Sequence, residues 1–257
     1  MKNILSFEFA KWKKQKSFYI LLGVMFAVTL ISLLTIKVAF MMDETMNGGM
    51  MSILGYTSDS IALTAVENSS LIMIVGIYIA LTSCQDYSQQ TMKTIYARGC
   101  SRTKVYFGKL LTSLCSLTIM FVAVFVWNWL LGSIFFGFTL ENFGRVILLA
   151  GGQYLTCVAF LGLYFMFVHL IRKMGAVLAL SLIVPMALEL VLIFVDIFAM
   201  QATEEFTVSS FWLSGFITKL SSMSVSSGWI IGVYLGAIAY SALFFGLGYL
   251  ASRRAEL

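Results

Sequence analysis

Residues 84–104 read CQDYSQQTMKTIYARGCSRTK, a basic, water-soluble stretch set between two long apolar runs. Asp86 followed by Gln89 is a variant of the capping box that opens helices, and Gly99 suits the position just past a helix end. The spacing predicts a helix of about three turns between them. On it Tyr87, Thr91 and Ile95 share one semi-apolar face, which a soluble partner with a groove could bury. The alternative is a solvated connector whose charges only set topology. Helix–helix connections usually take about two to eight residues, and a bare connector has no need of a cap, a helix and a stop.

The rest of the chain is built for lipid. Of its 257 residues 60% are hydrophobic and 11% charged, with a mean hydropathy of +0.93, whereas a soluble surface needs about a quarter of residues charged. Runs long enough to cross a hydrocarbon core of about 30 Å fall at Phe18–Phe40, Ile61–Ser83, Leu110–Phe135, Gly144–Leu170, Gly175–Ala199 and Trp229–Ala251. This predicts an all-α integral membrane protein with six transmembrane helices in one domain spanning 1–257, without internal repeat or linker.

Lys and Arg near the span ends set orientation. With a cytoplasmic N-terminus, only Lys37, Arg145 and Lys219 of the 17 Lys and Arg residues lie outside. Asp43, Glu44, Asp59, Glu141, Glu204 and Glu205 gather there instead. Both termini are therefore expected in the cytoplasm. The net charge of +5 follows from this asymmetry and argues for no nucleic-acid partner. Cys84, Cys100, Cys115 and Cys157 lack metal-ligand spacing. The first span is longer than the apolar part of a signal peptide and no small-x-small site follows it, so it is expected to remain as a helix.

Residues 1–17 form a separate element. On a helix Ile4, Leu5, Phe9 and Trp12 share a face, with Lys11, Lys13 and Lys14 elsewhere, which suits an amphipathic helix in the interface anchored by Phe9 and Trp12. Glu8 interrupts that face, and a plain positive-inside anchor fits the residues as well.

Acids inside a bilayer are costly and mark function. Glu189 and Asp196, seven residues apart in the fifth span, lie on nearly one face, one turn beyond Pro185, the only proline. Two readings stand: an acidic stripe facing a cationic amphipathic peptide, or Asp196 at the outer interface with Glu189 bonded to Asn128 or Gln153. Glu67, near the outer end of the second span, and Asn128 join Glu189 as pathway candidates. His169 reads as an interface residue near Arg172. Residues 201–228 carry Phe211, Trp212 and Phe216 among Ser and Thr, which suggests short outer helices or an aromatic belt.

The order of a basic amphipathic N-terminus, six spans and a first loop containing Thr91-Met92-Lys93, then Gly99-Cys100-Ser101-Arg102-Thr103-Lys104-Val105-Tyr106 and Lys109 resembles the permease subunits of bacterial ABC transporters of the type-2 exporter class. Within that class it is most similar to the short permeases of lantibiotic, bacitracin and related peptide export or self-immunity. Their loop reads Gly-Thr-x-Lys, a short helix, then Gly or Pro-x-Ser-Arg and a later Lys; here Gln90 replaces the first Gly. The resemblance implies a cytoplasmic coupling helix between spans 2 and 3, with Tyr87, Gln90, Thr91, Lys93, Thr94, Ile95, Arg98, Ser101 and Arg102 contacting a separate ABC ATPase subunit, present in two copies. It further implies a second permease copy, as homodimer or paralogous pair, outer-gate helices at Phe211, Trp212 and Phe216, and a place in the bacterial cell membrane.

ATP and Mg are expected on the partner, since no G-x-x-x-x-G-K-[ST] is present; the nearest match, Gly108-Lys109, is followed by Leu110. The chain is thus expected to bind no cofactor and to be no enzyme. Its expected function is export of amphipathic, antimicrobial or toxin peptides from cell or membrane. The alternatives are an exporter of lipids or small hydrophobic drugs, and a secondary transporter or channel working through its intramembrane acids. The last would carry inverted repeats with broken helices, and only the fifth span has a Pro break. An intramembrane enzyme would need a nucleophile with its base or a metal cluster, and the chain has one His and no HExxH.

Overall fold

The computed structural model describes residues 2–45, 57–68, 70–88, 95, 100–138, 142–200 and 207–254. Of these, 92% are helical and none is in a strand. The helices are α1 Lys2–Lys14, α2 Lys16–Thr45, α3 Ser58–Asn68, α4 Leu71–Ser88, α5 Arg102–Phe136, α6 Phe143–Ile171, α7 Met174–Met200, α8 Leu213–Ser221 and α9 Ser227–Arg254, with a 3-10 turn at Val208–Phe211 before α8. Six of them, α2, α4, α5, α6, α7 and α9, are long and apolar enough to cross a membrane.

Helix α6 is the hub. Its apolar window is 61% buried, against 17% in α2, 11% in α7 and 22% in α9, and Phe160, Tyr164 and Phe165 on it are among the largest fully buried side chains. Lipid is as apolar as leucine, so close packing rather than water exclusion joins such helices. Small residues permit it here. A Cβ on Gly162 would stand 3.2 Å from the Phe244 side chain of α9, and one on Gly248 would meet Met166 of α6 at 3.4 Å.

The second crossing departs from the run drawn at Ile61–Ser83. It is two helices, α3 and α4, broken at Ser70, whose φ of 51° is left-handed. The polar trio Asn68-Ser69-Ser70 gives the break its chemistry, since a left-handed residue ends a helix. Both halves run antiparallel along α5. A Cβ on Gly132 would lie 3.2 Å from the Ser58 backbone, and the Tyr78 hydroxyl is 3.1 Å from Ser116 Oγ. Helix α3 is nearly wholly enclosed, with Ile61, Ala62, Leu63, Ala65 and Val66 buried. Pro185, where the break was expected, lies inside a continuous α7.

Helix α5 has 35 residues and at 1.5 Å each reaches about 50 Å, well past the hydrocarbon core. Its first turns take in Thr103, Lys104 and Lys109, so the segment joining α4 to α5 is only 89–101. Asp86 is consequently no N-cap. It sits in the last turn of α4, where lysines from two other helices hold its carboxylate.

Candidate functional site

The basic end of the bundle is organised around a stripe of polar residues. On α5, Lys109, Thr112, Ser113 and Ser116 recur at helical spacing and are all buried. On α4, Ser83 and Asp86 turn toward them, also buried. From α1 come Glu8, buried, and Lys11, whose side chain is 30% exposed. Lys11 pairs with one Asp86 oxygen and Lys109 with the other, and Lys109 Nζ also lies 3.7 Å from Glu8 Oε1.

The result is a chain of alternating charge, Lys11, Asp86, Lys109, Glu8, that ties three helices together. Burying charges costs several kcal/mol per ion unless geometry repays it, and here each buried ion has an opposite partner. A cavity of about 30 Å³ beside the cluster is large enough for water. Asp86 stands three residues before the 89–101 segment and Lys109 eight residues after it. The ion pairs of Lys11 and Lys109 with Asp86 thus join α1 to the helices on either side of that segment.

The inward face of α1 is Glu8, Lys11 and Trp12. Glu8 completes this face. Trp12 packs its ring 5.2 Å from Phe18, and Phe18 lies 5.9 Å from Tyr78 of α4. Phe9 stands edge-on to Trp12 at 6.2 Å. Both anchor candidates thus belong to an aromatic seam between α1, α2 and α4.

Of the residues expected to contact an ATPase, Gln90, Thr91, Lys93, Thr94 and Arg98 lie outside the described residues. Ile95 is helical and half-buried, and its carbonyl accepts the Cys100 N–H at 3.4 Å. Tyr87 stands edge-on to His169 at 6.2 Å. Ser101 is the N-cap of α5 without a side-chain cap bond, and Arg102 donates to the Arg253 carbonyl at 2.9 Å, fastening α5 to the end of α9. His169, read as an interface residue, is buried; its Nδ1 lies 2.8 Å from the Phe165 carbonyl and its ring packs on Tyr106.

At the other end, the break in the second crossing opens onto a cavity of about 210 Å³ lined by Glu67, Ser70, Tyr164, Pro185 and Glu189 among others. A second cavity of about 290 Å³ shares Glu189, Ser214 and Thr218 with it and adds Lys219. Two carboxylates from different helices thus face one apolar-walled space, beside the C-terminal, partly negative end of α3. The Tyr164 hydroxyl, buried in its wall, has no hydrogen-bond partner among the described residues. Irregular backbone at membrane depth is tolerated where it is enclosed by protein or lines a cavity.

Neither Asn128 nor Gln153 bonds to Glu189. Asn128 is buried outside these cavities and donates to the Val124 carbonyl of its own helix at 2.8 Å, while Gln153 donates to the Leu63 carbonyl at 2.8 Å. Asp196 accepts the N–H groups of Val208 and Ser209, capping the 3-10 turn. Past it, the Phe211 ring lies tilted against Trp229 at 5.3 Å, and Trp212 and Phe216 both pack on Tyr240 of α9.

Sequence reasoning missed the charge cluster. Two signals carried it: Glu8 and Lys11 sit at i and i+3 on α1, and a polar stripe begins at Lys109 within an otherwise apolar run.

A family model described as ABC-2 family transporter protein matches residues 4–196. No curated protein and no solved structure matches the chain.

Proposed function

The chain belongs to the ABC-2 family of transporter proteins, and we propose that it is the subunit through which a separate ATPase drives cationic amphipathic peptides out of the cell or its membrane. It is a multi-pass membrane protein. Members of this family are transmembrane subunits, generally non-catalytic, and work with an ABC ATPase. In this reading the basic end faces the cytoplasm, as the Lys and Arg bias favours, and two ATPase copies, carrying ATP and Mg, grip the 89–101 segments of two permease copies.

The observation that carries this reading is the charge chain Lys11, Asp86, Lys109, Glu8. It binds both ends of the 89–101 segment to α1. A connector that only set topology would leave its stems to lipid and water. Stems locked into one polar body convert a push on Ile95 into a tilt of α4 and α5 together, rather than into bending of the loop. The coupling residues are then Tyr87, Ile95, Ser101 and Arg102, with Gln90, Thr91, Lys93, Thr94 and Arg98.

The cavity at the break is the substrate route in this reading. Glu67 and Glu189 attract a cationic side chain, Tyr164 offers a hydrogen bond, and the apolar walls take the rest of an amphipathic peptide. Phe211, Trp212 and Phe216 form the gate above it. Export for secretion and extraction for self-protection use the same parts.

The test is a gentle detergent pull-down of the tagged chain from its native membrane. A co-purifying ATPase that is lost on Ile95→Glu supports the reading. An ATPase retained by that variant removes the 89–101 segment from docking. No ATPase at all overturns the reading and shifts weight to a secondary transporter using Glu189.

A further inference from the structure

The ends of α6 and α9 at the basic end enclose a groove of about 400 Å³ that neither the charge cluster nor the substrate route uses. Met166, Leu170, Leu247 and Leu250 line it, and the three leucines are about half exposed, at 58%, 47% and 51%. Its polar contribution comes from His169 and Arg172, and among the described residues no acidic side chain lines it.

We propose that this groove holds one anionic phospholipid of the leaflet at the basic end, its phosphate on Arg172 and an acyl chain along the leucines. Helix α6 ends at Arg172 in the left-handed conformation, φ 58° and ψ 0°. That position favours Gly or Asn, so a long cation is held there against local preference. The Arg172 backbone N–H bonds to the Val168 carbonyl at 3.0 Å, and Nε donates to the His169 carbonyl at 3.4 Å. These bonds fix the stem of the guanidinium at the rim of the groove.

Charge and shape then select the occupant. Lys173 follows at once and is exposed, and Arg253, also exposed, stands two residues past the groove residue Ala251. A rim carrying basic side chains over an apolar trough fits a phosphate with a hydrocarbon tail; basic pockets between transmembrane helices recognise anionic headgroups in this way. A free anion would use the rim and leave the trough empty, and a zwitterionic lipid would bring its own cation to the arginine. The proposal rests on the membrane assignment and on neither the ATPase nor the peptide, so the two readings fail separately.

The experiment uses the full chain in detergent, with phosphatidylglycerol, phosphatidylcholine or inorganic phosphate added, read by native mass spectrometry and thermal midpoint. One phosphatidylglycerol per chain is expected, with Arg172→Asn weakening its retention about fivefold, as for one cation at a lipid surface. Asn suits the left-handed backbone, so this variant should melt no lower than the parent when lipid is absent. Ala251→Leu, which narrows the trough and leaves Arg172 in place, is the second variant and should also lose the lipid. Equal retention of phosphatidylcholine, undiminished phosphatidylglycerol on either variant, or equal stabilisation by phosphate alone overturns the proposal.

Discussion

Asp86 and Lys109 form a buried ion pair across the two stems of the 89–101 segment, with side chains only 4% and 5% exposed. A pair in that position makes the ends of α4 and α5 one body. Removing either partner leaves the other buried with only its weaker or longer pair, Lys11 for Asp86 or Glu8 for Lys109, a loss that approaches the cost of a broken buried pair, about 3–5 kcal/mol.

Asp86→Ala is therefore expected to lower the thermal midpoint sharply, and Lys109→Ala to do the same. Exchanging the two, Asp86→Lys with Lys109→Asp, should recover part of the loss. Lys11 and Glu8 then face like charges, which prevents full recovery. Melting in detergent checks the series; a double exchange no better than the single changes would show that the pair is not the stabilising contact.

Lys11 is the weak member. It is 30% exposed, and an ion pair shared with water contributes about 1 kcal/mol or less. Lys11→Ala should thus leave the bundle intact while loosening α1, seen as faster amide exchange in α1 and unchanged exchange in α6. Loss of protection throughout the molecule would contradict this order.

Glu67→Gln and Glu189→Gln should each raise the half-saturating concentration of a cationic amphipathic peptide about fivefold, from roughly 1 kcal/mol per half-exposed pair. A neutral analogue of the same length should be unaffected. Equal effects on both peptides would point to packing instead of charge.

Gly215, in the first turn of α8, lies against the 3-10 turn Val208–Phe211. A Cβ there would overlap the Ser209 carbonyl oxygen and come within 2.9 Å of the Ser210 Cα, both backbone atoms that cannot swing aside. Gly215→Ala should displace the 3-10 turn from the Asp196 carboxylate and lower stability. Gly246→Ala, with nothing within 4 Å of its added carbon, should be neutral or slightly stabilising in its helix.

The crossings were legible because a bilayer demands about 20 apolar residues at a stretch, a local property of sequence. What escaped was non-local. Asp86 reads as a cap from its neighbours, and nothing nearby announces that Lys109, or Lys11 from 75 residues away, takes its carboxylate. Glu8 looks like a flaw in an apolar face until the polar stripe of α5 is set against it. The break at Ser70 hid inside a hydrophobic run, since two serines scarcely lower an average, whereas Pro185 advertised a break that α7 does not make. Glu67 and Glu189 were legible one by one, and their meeting in one cavity needed the fold.

Two lysines and two carboxylates in one cluster sum to zero. A single elementary charge carried through the membrane field feels about 2.3 kcal/mol for every 100 mV. A cluster whose own charges cancel adds no net electrical work to any movement of the helices it joins, so its contribution to such a movement should be alike in an energised membrane and a depolarised one.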